Sequence, residues 1–296
     1  MSKPSMLQDS LHAPELTRMI GAHSPLSARL GADAGFDAIW ASGLEISASR
    51  GLPDANILSM SECLEAAAHL AESVEIPVLA DCDSGFGGVG NVIHMVRSYE
   101  SRGIAGVCIE DKQFPKLNSF AAGQQDLAPI GDFAAKVTAA AEARRDRNFV
   151  IVARVEALIA GAGMAEALRR AHAYERAGAD ALVIHSKLNR PDEVFTFREQ
   201  YQGVLPVIVI PTTYSHVTTT ELRERGFGAV IYANQALRGS ISAMREVMHE
   251  IAAAGTTSGI EGSIASLKEV FALQHMDGLL QAQHRHDVLA AEYESS

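Results

Sequence analysis

Cysteine is scarce in this chain: 296 residues hold only Cys63, Cys82 and Cys108, an odd number at no metal-type spacing. That excludes a disulfide framework and a zinc cluster, and fits reduced thiols in a cytoplasmic protein. Long apolar runs are missing too. None approaches the roughly 18 residues a membrane span requires, and the opening MSKPSMLQDSLHAPELTR has no apolar stretch of the kind a secretory signal carries. Positive charge is the third shortfall. Lys plus Arg number 25 against 36 Asp plus Glu, a formal net charge of −11 with no basic block. Such a chain is a poor nucleic-acid binder.

What is present is the composition of a folded protein, 47% hydrophobic and 21% charged. The length allows two domains of about 150 residues or one barrel of about 250 with an extension. The placement of the 24 glycines decides between them. Four segments read alike: AGFDAIWASG (34–43), RGIAGVCIED (102–111), AGADALVIHS (177–186) and RGFGAVIYAN (225–234). In each, a glycine (Gly35, Gly103, Gly178, Gly226) precedes a short apolar run that ends in polar residues. A glycine there ends the preceding helix in the left-handed conformation. A continuous apolar run marks a strand buried on both faces. Four more runs alternate with these: TRMIGAH (17–23), IPVLADCDS (76–84), FVIVARVEA (149–157) and LPVIVIPTT (205–213). Helical patterns such as SECLEAAAHLAESV (61–74) and MAEALRRAHAYERA (164–177) separate them. Eight β-then-α units predict an α/β fold, a single (β/α)8 TIM barrel domain over 1–296, with about 256–296 a C-terminal helical extension. An open doubly wound sheet is the competing architecture.

Chemistry in such barrels gathers at the carboxyl ends of the strands. Those ends carry His23, Ser42 and Gly43, Asp81 and Asp83, Glu110 and Asp111, Arg154 and Glu156, His185 and Ser186, Thr212, and Asn234. Charge is costly there unless paired or bound to a metal. Asp81, Asp83 and Glu110 would repel one another without a cation, and all-oxygen ligation points to Mg2+, with Mn2+ as a substitute. The competing reading makes these acids helix caps, as Asp83-Ser84 would be. Arg154 is a fork for a substrate carboxylate or phosphate, unless Glu156 or Glu110 occupies it. GFGGVG (85–90) lacks the Lys-Ser/Thr of a phosphate-binding loop and reads as tight backbone beside the acids. EDKQFPKLNSFAAGQQDLAPIGDF (110–133) has no periodicity before the next helix, which is the mark of a functional lid. Its Lys112, Lys116, Asn118 and Ser119 are donors suited to an anionic ligand.

These residues resemble a known family. EDK-x5-NS at 110–119, D-x-D at 81–83 and VARVEALIAG at 152–161 look like the phosphoenolpyruvate mutase and phosphonopyruvate hydrolase group of the isocitrate lyase superfamily, along nearly the whole chain. EDK-x5-NS is specific, whereas D-x-D and the barrel are common to the superfamily. Its lyases carry a catalytic cysteine in a K-x-C-G-H loop. Lys116-Leu117-Asn118-Ser119 has none, which disfavours carbon–carbon lyase chemistry. The resemblance implies Mg2+-dependent interconversion of phosphoenolpyruvate and phosphonopyruvate, for phosphonate biosynthesis. It implies that Asp81 ligates the metal while Asp83 and Glu110 hold its waters, and that Asp54 joins this shell or steers the migrating group. Backbone N–H groups of Ser42, Gly43 and Leu44 would cradle the substrate beside Trp40. Arg154, His185 and Asn118 would steady the phosphoryl group, and Lys116, Ser119 and Ser186 complete the substrate-binding set.

Asn118 favours a mutase, because hydrolases of this group tend to carry threonine there. PDANILSMS (53–61) leans to the hydrolase, and Asp83-Ser84-Gly85 departs from the usual D-T-G. Hydrolysis of phosphonopyruvate to pyruvate and phosphate is therefore the alternative. A non-catalytic small-anion-binding barrel would have lost a metal acid or a lid donor, and all are present. The family further implies a homodimer or homotetramer that exchanges a C-terminal helix between subunits.

Overall fold

Short β-branched runs become strands here, and each glycine that leads every second run is where a helix stops. The computed structural model describes residues 1–123 and 125–295. By its contacts the chain forms two compact units, Met1–Leu237 and Arg238–Ser296. The first begins with α1 (Lys3–Leu11), β1 (Thr17–Ala22), α2 (Pro25–Asp33), β2 (Ala38–Ala41), α3 (Gly43–Ser49) and α4 (Met60–Ser73). It continues through β3 (Val78–Asp81), α5 (Val89–Ser101), β4 (Gly106–Glu110), α6 (Ile130–Ala143), β5 (Val150–Val155) and α7 (Met164–Arg176). Then come β6 (Ala181–Ile184), α8 (Asp192–Gln200), β7 (Val207–Val209), α9 (Thr219–Glu224) and β8 (Ala229–Tyr232). Helix α10 (Gln235–Ala254) leads into the second unit, which also holds α11 (Leu267–Leu273) and α12 (Met276–Glu294).

The eight strands pair in parallel, in chain order, and β8 closes on β1. This is the expected closed barrel, with extra C-terminal helices. Gly35, Gly103, Gly178 and Gly226 have φ of +80°, +74°, +99° and +79°, each one residue past the C-cap of α2, α5, α7 and α9. Only glycine reaches that conformation without strain.

Alternate strand residues face opposite sides of the barrel wall. Ala38 and Trp40, Leu79, Cys108, Val150 and Val152, Ala181 and Val183, and Ile208 fill the interior. Their neighbours Ile39, Ala41, Val78, Ala80, Ile151, Ala153, Leu182 and Val209 pack outward under the helices. The interior is completed by a helix that the sequence reading did not anticipate. Leu7 and Leu11 of α1 join the interior set, with the Leu11 carbonyl against Gly228 just ahead of β8. The amino-terminal mouth of the barrel is thereby plugged. Leu7→Ala is expected to cost about 2–5 kcal/mol, read as a lower midpoint in urea unfolding; an unchanged midpoint would remove α1 from the core.

Candidate active site

The same two-residue period selects what reaches the other mouth. Continuing the inward positions past Trp40, Leu79, Cys108, Val152 and Val183 gives Ser42, Asp81, Glu110, Arg154, Glu156 and His185. A pocket there is lined by Trp40, Ser42, Leu44, Asp54, Asp81, Lys116, Asn118, Ser119, Phe120, Arg154 and His185, and on its far wall by Ile210, Thr212, Ala233 and Asn234. Most of the residues expected from sequence therefore meet in one place. Asp83 and Glu110 are buried beside Asp81 rather than lining the pocket, and Glu110 N–H donates to the Asp83 carbonyl at 2.7 Å. Gly43 backs onto the acids. A Cβ there would stand 3.2 Å from Asp81 Oδ2. The segment after β3 is tight, with φ of +50° at Asp83 and +87° at Gly85. Helix α5 takes Gly88 as its N-cap, so the helix-cap reading of Asp83-Ser84 fails.

Among the described residues of 111–129 there is no helix or strand, and an antiparallel bridge between Lys112 and Leu127 pins the base of this lid. Its side chains turn down onto the mouth. Lys116 Nζ lies 2.6 Å from Asp54 Oδ1 and 2.9 Å from Asp83 Oδ1, and Asn118 Nδ2 donates to Asp54 Oδ2 at 2.6 Å. Burial alone would push the Asp54 carboxyl up, but the Lys116 ammonium and the Asn118 amide hold it below its usual range. Asp81 goes the other way: burial and the neighbouring Asp83 push it up to about 6. Asn56, which the sequence reading missed, donates to Asp83 Oδ2 at 2.6 Å and accepts the Lys116 N–H. Phe120 meets the His185 ring edge-on, 5.3 Å between centroids.

Glu156 is fully buried at the centre of the opposite wall. Its Oε1 accepts Arg154 Nε at 2.6 Å and its Oε2 accepts the Ser119 hydroxyl at 2.6 Å. Lys112 Nζ stands 3.2 Å from Oε2. Arg154 is thus paired with Glu156, and with Glu110 at 3.4 Å, and still lines the pocket. His185 Nδ1 lies 2.8 Å from Arg154 Nη2 and 3.0 Å from Glu156 Oε1, while its buried Nε2 has no hydrogen-bond partner. Burial and the Arg154 charge hold the imidazole below its usual pKa, hence neutral at pH 7.

Four residues named from the sequence have protein partners of their own. Lys112 is buried and donates to the Leu117 carbonyl at 2.9 Å and to Ser119 Oγ at 2.7 Å. Ser186, one residue past the inward His185, faces outward and donates to Glu193 Oε2 of α8 at 2.6 Å. Its hydroxyl does not line the pocket. The Ser42 amide donates to the Ala22 carbonyl at 3.2 Å, which leaves Gly43 and Leu44, in the first turn of α3, as the amides without an intrahelical acceptor. His23 likewise pairs with Glu45 at 3.1 Å, away from the pocket lining.

Five carboxylates (Asp54, Asp81, Asp83, Glu110, Glu156) surround this mouth against three cations, Lys112, Lys116 and Arg154, leaving two negative charges in excess. Among the described residues no three His, Cys, Asp or Glu side chains form a ready-made metal cage. Mg2+ does not ask for one, since it keeps several waters and binds through one or two carboxylates. The Asp81 carboxylate in the pocket lining and the buried Glu110 Oε1, which lacks a hydrogen-bond partner, fit such an ion.

Fold and mouth together are those of a TIM-barrel enzyme with a small charged pocket at the carboxyl ends of its strands. Residues 7–252 match the phosphoenolpyruvate phosphomutase family, and the chain belongs to it, within the phosphoenolpyruvate mutase/isocitrate lyase superfamily. It is 49% identical to the phosphoenolpyruvate phosphomutase of Streptomyces platensis subsp. rosaceus, whose crystal structure matches with a TM-score of 0.94 over 95% of this chain and 98% of that one. It is 45% identical over 276 residues to the phosphonopyruvate hydrolase of Variovorax sp. (strain Pal2), covering 93% of this chain and 95% of the relative. A crystal structure of phosphonopyruvate hydrolase in complex with oxalate and Mg2+ shares 43% identity and a TM-score of 0.92, over 96% of this chain and 99% of that one. The chain is an enzyme of this superfamily, acting on phosphoenolpyruvate-related substrates and closely related to both reactions. Because the Ser186 hydroxyl is committed to Glu193, Ser186→Ala is expected to leave kcat/KM within about threefold of wild type in a phosphonopyruvate-consumption assay; a larger loss would return Ser186 to the substrate-binding set.

Proposed function

We propose that this enzyme is a phosphoenolpyruvate phosphomutase, interconverting phosphoenolpyruvate and 3-phosphonopyruvate for phosphonate biosynthesis. The observation that carries this reading is the engagement of Asp54. Both its oxygens accept lid donors, Lys116 on one and Asn118 on the other, and its pKa is held low. A carboxylate so occupied is a weak base for activating water, which hydrolysis would require. Hydrolysis of phosphonopyruvate is the second reading, favoured by the 45% identity to the Variovorax hydrolase.

In the mutase reading, the P–O bond of phosphoenolpyruvate breaks to leave the pyruvate enolate, and C3 of that enolate forms the new bond to phosphorus. No water enters and no proton is consumed. The transition state is loose and metaphosphate-like, so positioning and charge dominate. Arg154, His185 and Asn118 steady the moving phosphoryl, the Gly43 and Leu44 amides cradle the pyruvyl end beside Trp40, and Lys116 and Ser119 hold the lid side. Asp54 steers the migrating group. The negative excess at the mouth, together with the Mg2+ in the hydrolase complex, supports Mg2+ on Asp81 with its waters on Asp83 and Glu110, Mn2+ substituting. Bound there, the cation supplies neutralisation of the enolate oxygen and carboxylate.

Phosphorus NMR on phosphonopyruvate and Mg2+ is expected to show phosphoenolpyruvate growing in, and chelation with EDTA to stop it. Inorganic phosphate with pyruvate would make the enzyme a hydrolase instead.

The three buried free thiols support a cytoplasmic location, and no helix among the described residues is long and apolar enough to cross a membrane. Helices α10 to α12 expose Met244, Met248, Leu267, Phe271, Leu279 and Leu289. Such a face supports a homodimer or homotetramer with these helices exchanged between subunits. Sedimentation is expected to give a multiple of the 31.6 kDa chain mass; a monomer would end this reading.

A further inference from the structure

The geometry points to Glu156 as a positioning residue whose single carboxylate ties the lid to the Arg154–His185 wall, with Ser119 as the latch on the lid side. This goes beyond the roles assigned above and rests on the functional reading only in its kinetic arm.

The Ser119 hydroxyl has one proton to donate and two lone pairs. Arg154 Nη2 donates to it at 3.0 Å and Lys112 Nζ at 2.7 Å, which fills both lone pairs. Its proton goes to Glu156 Oε2 at 2.6 Å. No donor is left for a substrate. Ser119 therefore fastens the lid instead of binding the ligand, and among the described residues Glu156 is the acceptor of its proton. The other Glu156 oxygen takes Arg154 Nε at 2.6 Å, which fixes the plane of the guanidinium and so the direction of its Nη2. Glu156 also offsets two cations. Without it, Arg154 and Lys112 would converge on one neutral hydroxyl with only Glu110 to share, 3.4 Å from the first and 3.6 Å from the second.

Glu156 is itself held. Its N–H donates to Asp111 Oδ1 at 2.8 Å, and Asp111 Oδ2 accepts Arg170 Nη1 at 2.9 Å and the Tyr174 hydroxyl at 2.7 Å, both from α7. Asp111 is the first residue of the lid. The lid is thus anchored to the end of β5 twice, through backbone at its root and through side chain at Ser119.

Two variants test this: Glu156→Gln, which keeps shape and removes charge, and Ser119→Ala, which cuts the latch together with the two hydrogen bonds that the hydroxyl accepts and leaves the Arg154–Glu156 pair in place. Amide hydrogen exchange is followed on lid residues 112–123 and on the strands, and kcat and KM are measured for phosphonopyruvate consumption with Mg2+. Lid amides are expected to exchange at least about tenfold faster in both variants, as loss of a charge-assisted hydrogen bond requires, with strand exchange unchanged. In Glu156→Gln, kcat is expected to fall about 100-fold with KM moving far less, the mark of a misaimed Arg154. Unchanged lid exchange in both variants, or an unchanged kcat in a folded Glu156→Gln, overturns the proposal. If Glu156→Gln does not fold, lid exchange in Ser119→Ala decides alone, in either direction. Wild-type enzyme that leaves phosphonopyruvate intact would sink the functional reading while the exchange result still stands.

Discussion

Burial of charge at the barrel mouth is the constraint on which the rest of the site depends. Asp54, Asp83 and Glu156 lie away from water, and each finds a cation partner on the lid, Lys116 for the first two and Lys112 for the third. Removing one partner of a buried pair costs about 3–5 kcal/mol, so lifting the lid would take the cation from Asp54 and Asp83 and leave Glu156 with Arg154 alone. Docking the lid and balancing the charge are one event. Loop residues without periodicity can still be well ordered when they carry counter-charges that buried carboxylates need.

How much of this was legible in the sequence follows from periodicity. Asp81, Glu110, Arg154 and His185 continue the inward positions of buried strands, and a strand of known direction puts them at the mouth whatever their chemistry. Ser186, which the family resemblance placed in the substrate-binding set, does not continue that pattern. It lies one residue out of phase, and its hydroxyl turns to α8. Glu156 was in phase and was set aside as a salt-bridge partner of Arg154, which understated it. Asp54 and Asn56 lie in the irregular stretch between α3 and α4, where no period exists to assign a direction; family resemblance supplied Asp54 and nothing supplied Asn56. Helix α1 was illegible because its two core leucines sit among polar residues, and what buries them is the open end of a barrel not yet built.

The two reactions catalysed by the relatives differ in whether water takes part, and the residues that cover the pocket come from the lid. Asn118 clasps Asp54, and Phe120 stands edge-on over His185; both are contributed by an irregular segment, which can change without disturbing the strands beneath.

The four left-handed glycines have a further consequence. Each of α2, α5, α7 and α9 is joined to its next strand by four residues, 34–37, 102–105, 177–180 and 225–228. At the opposite end, β4 and α6 are joined by residues 111–129. One rim of the barrel is a fixed hoop of repeated short reversals, and the other is free to vary in length. Closure of the sheet is thereby insulated from the chemistry, so that insertions and exchanges at the reactive rim can retune the enzyme while the hoop keeps eight strands in register.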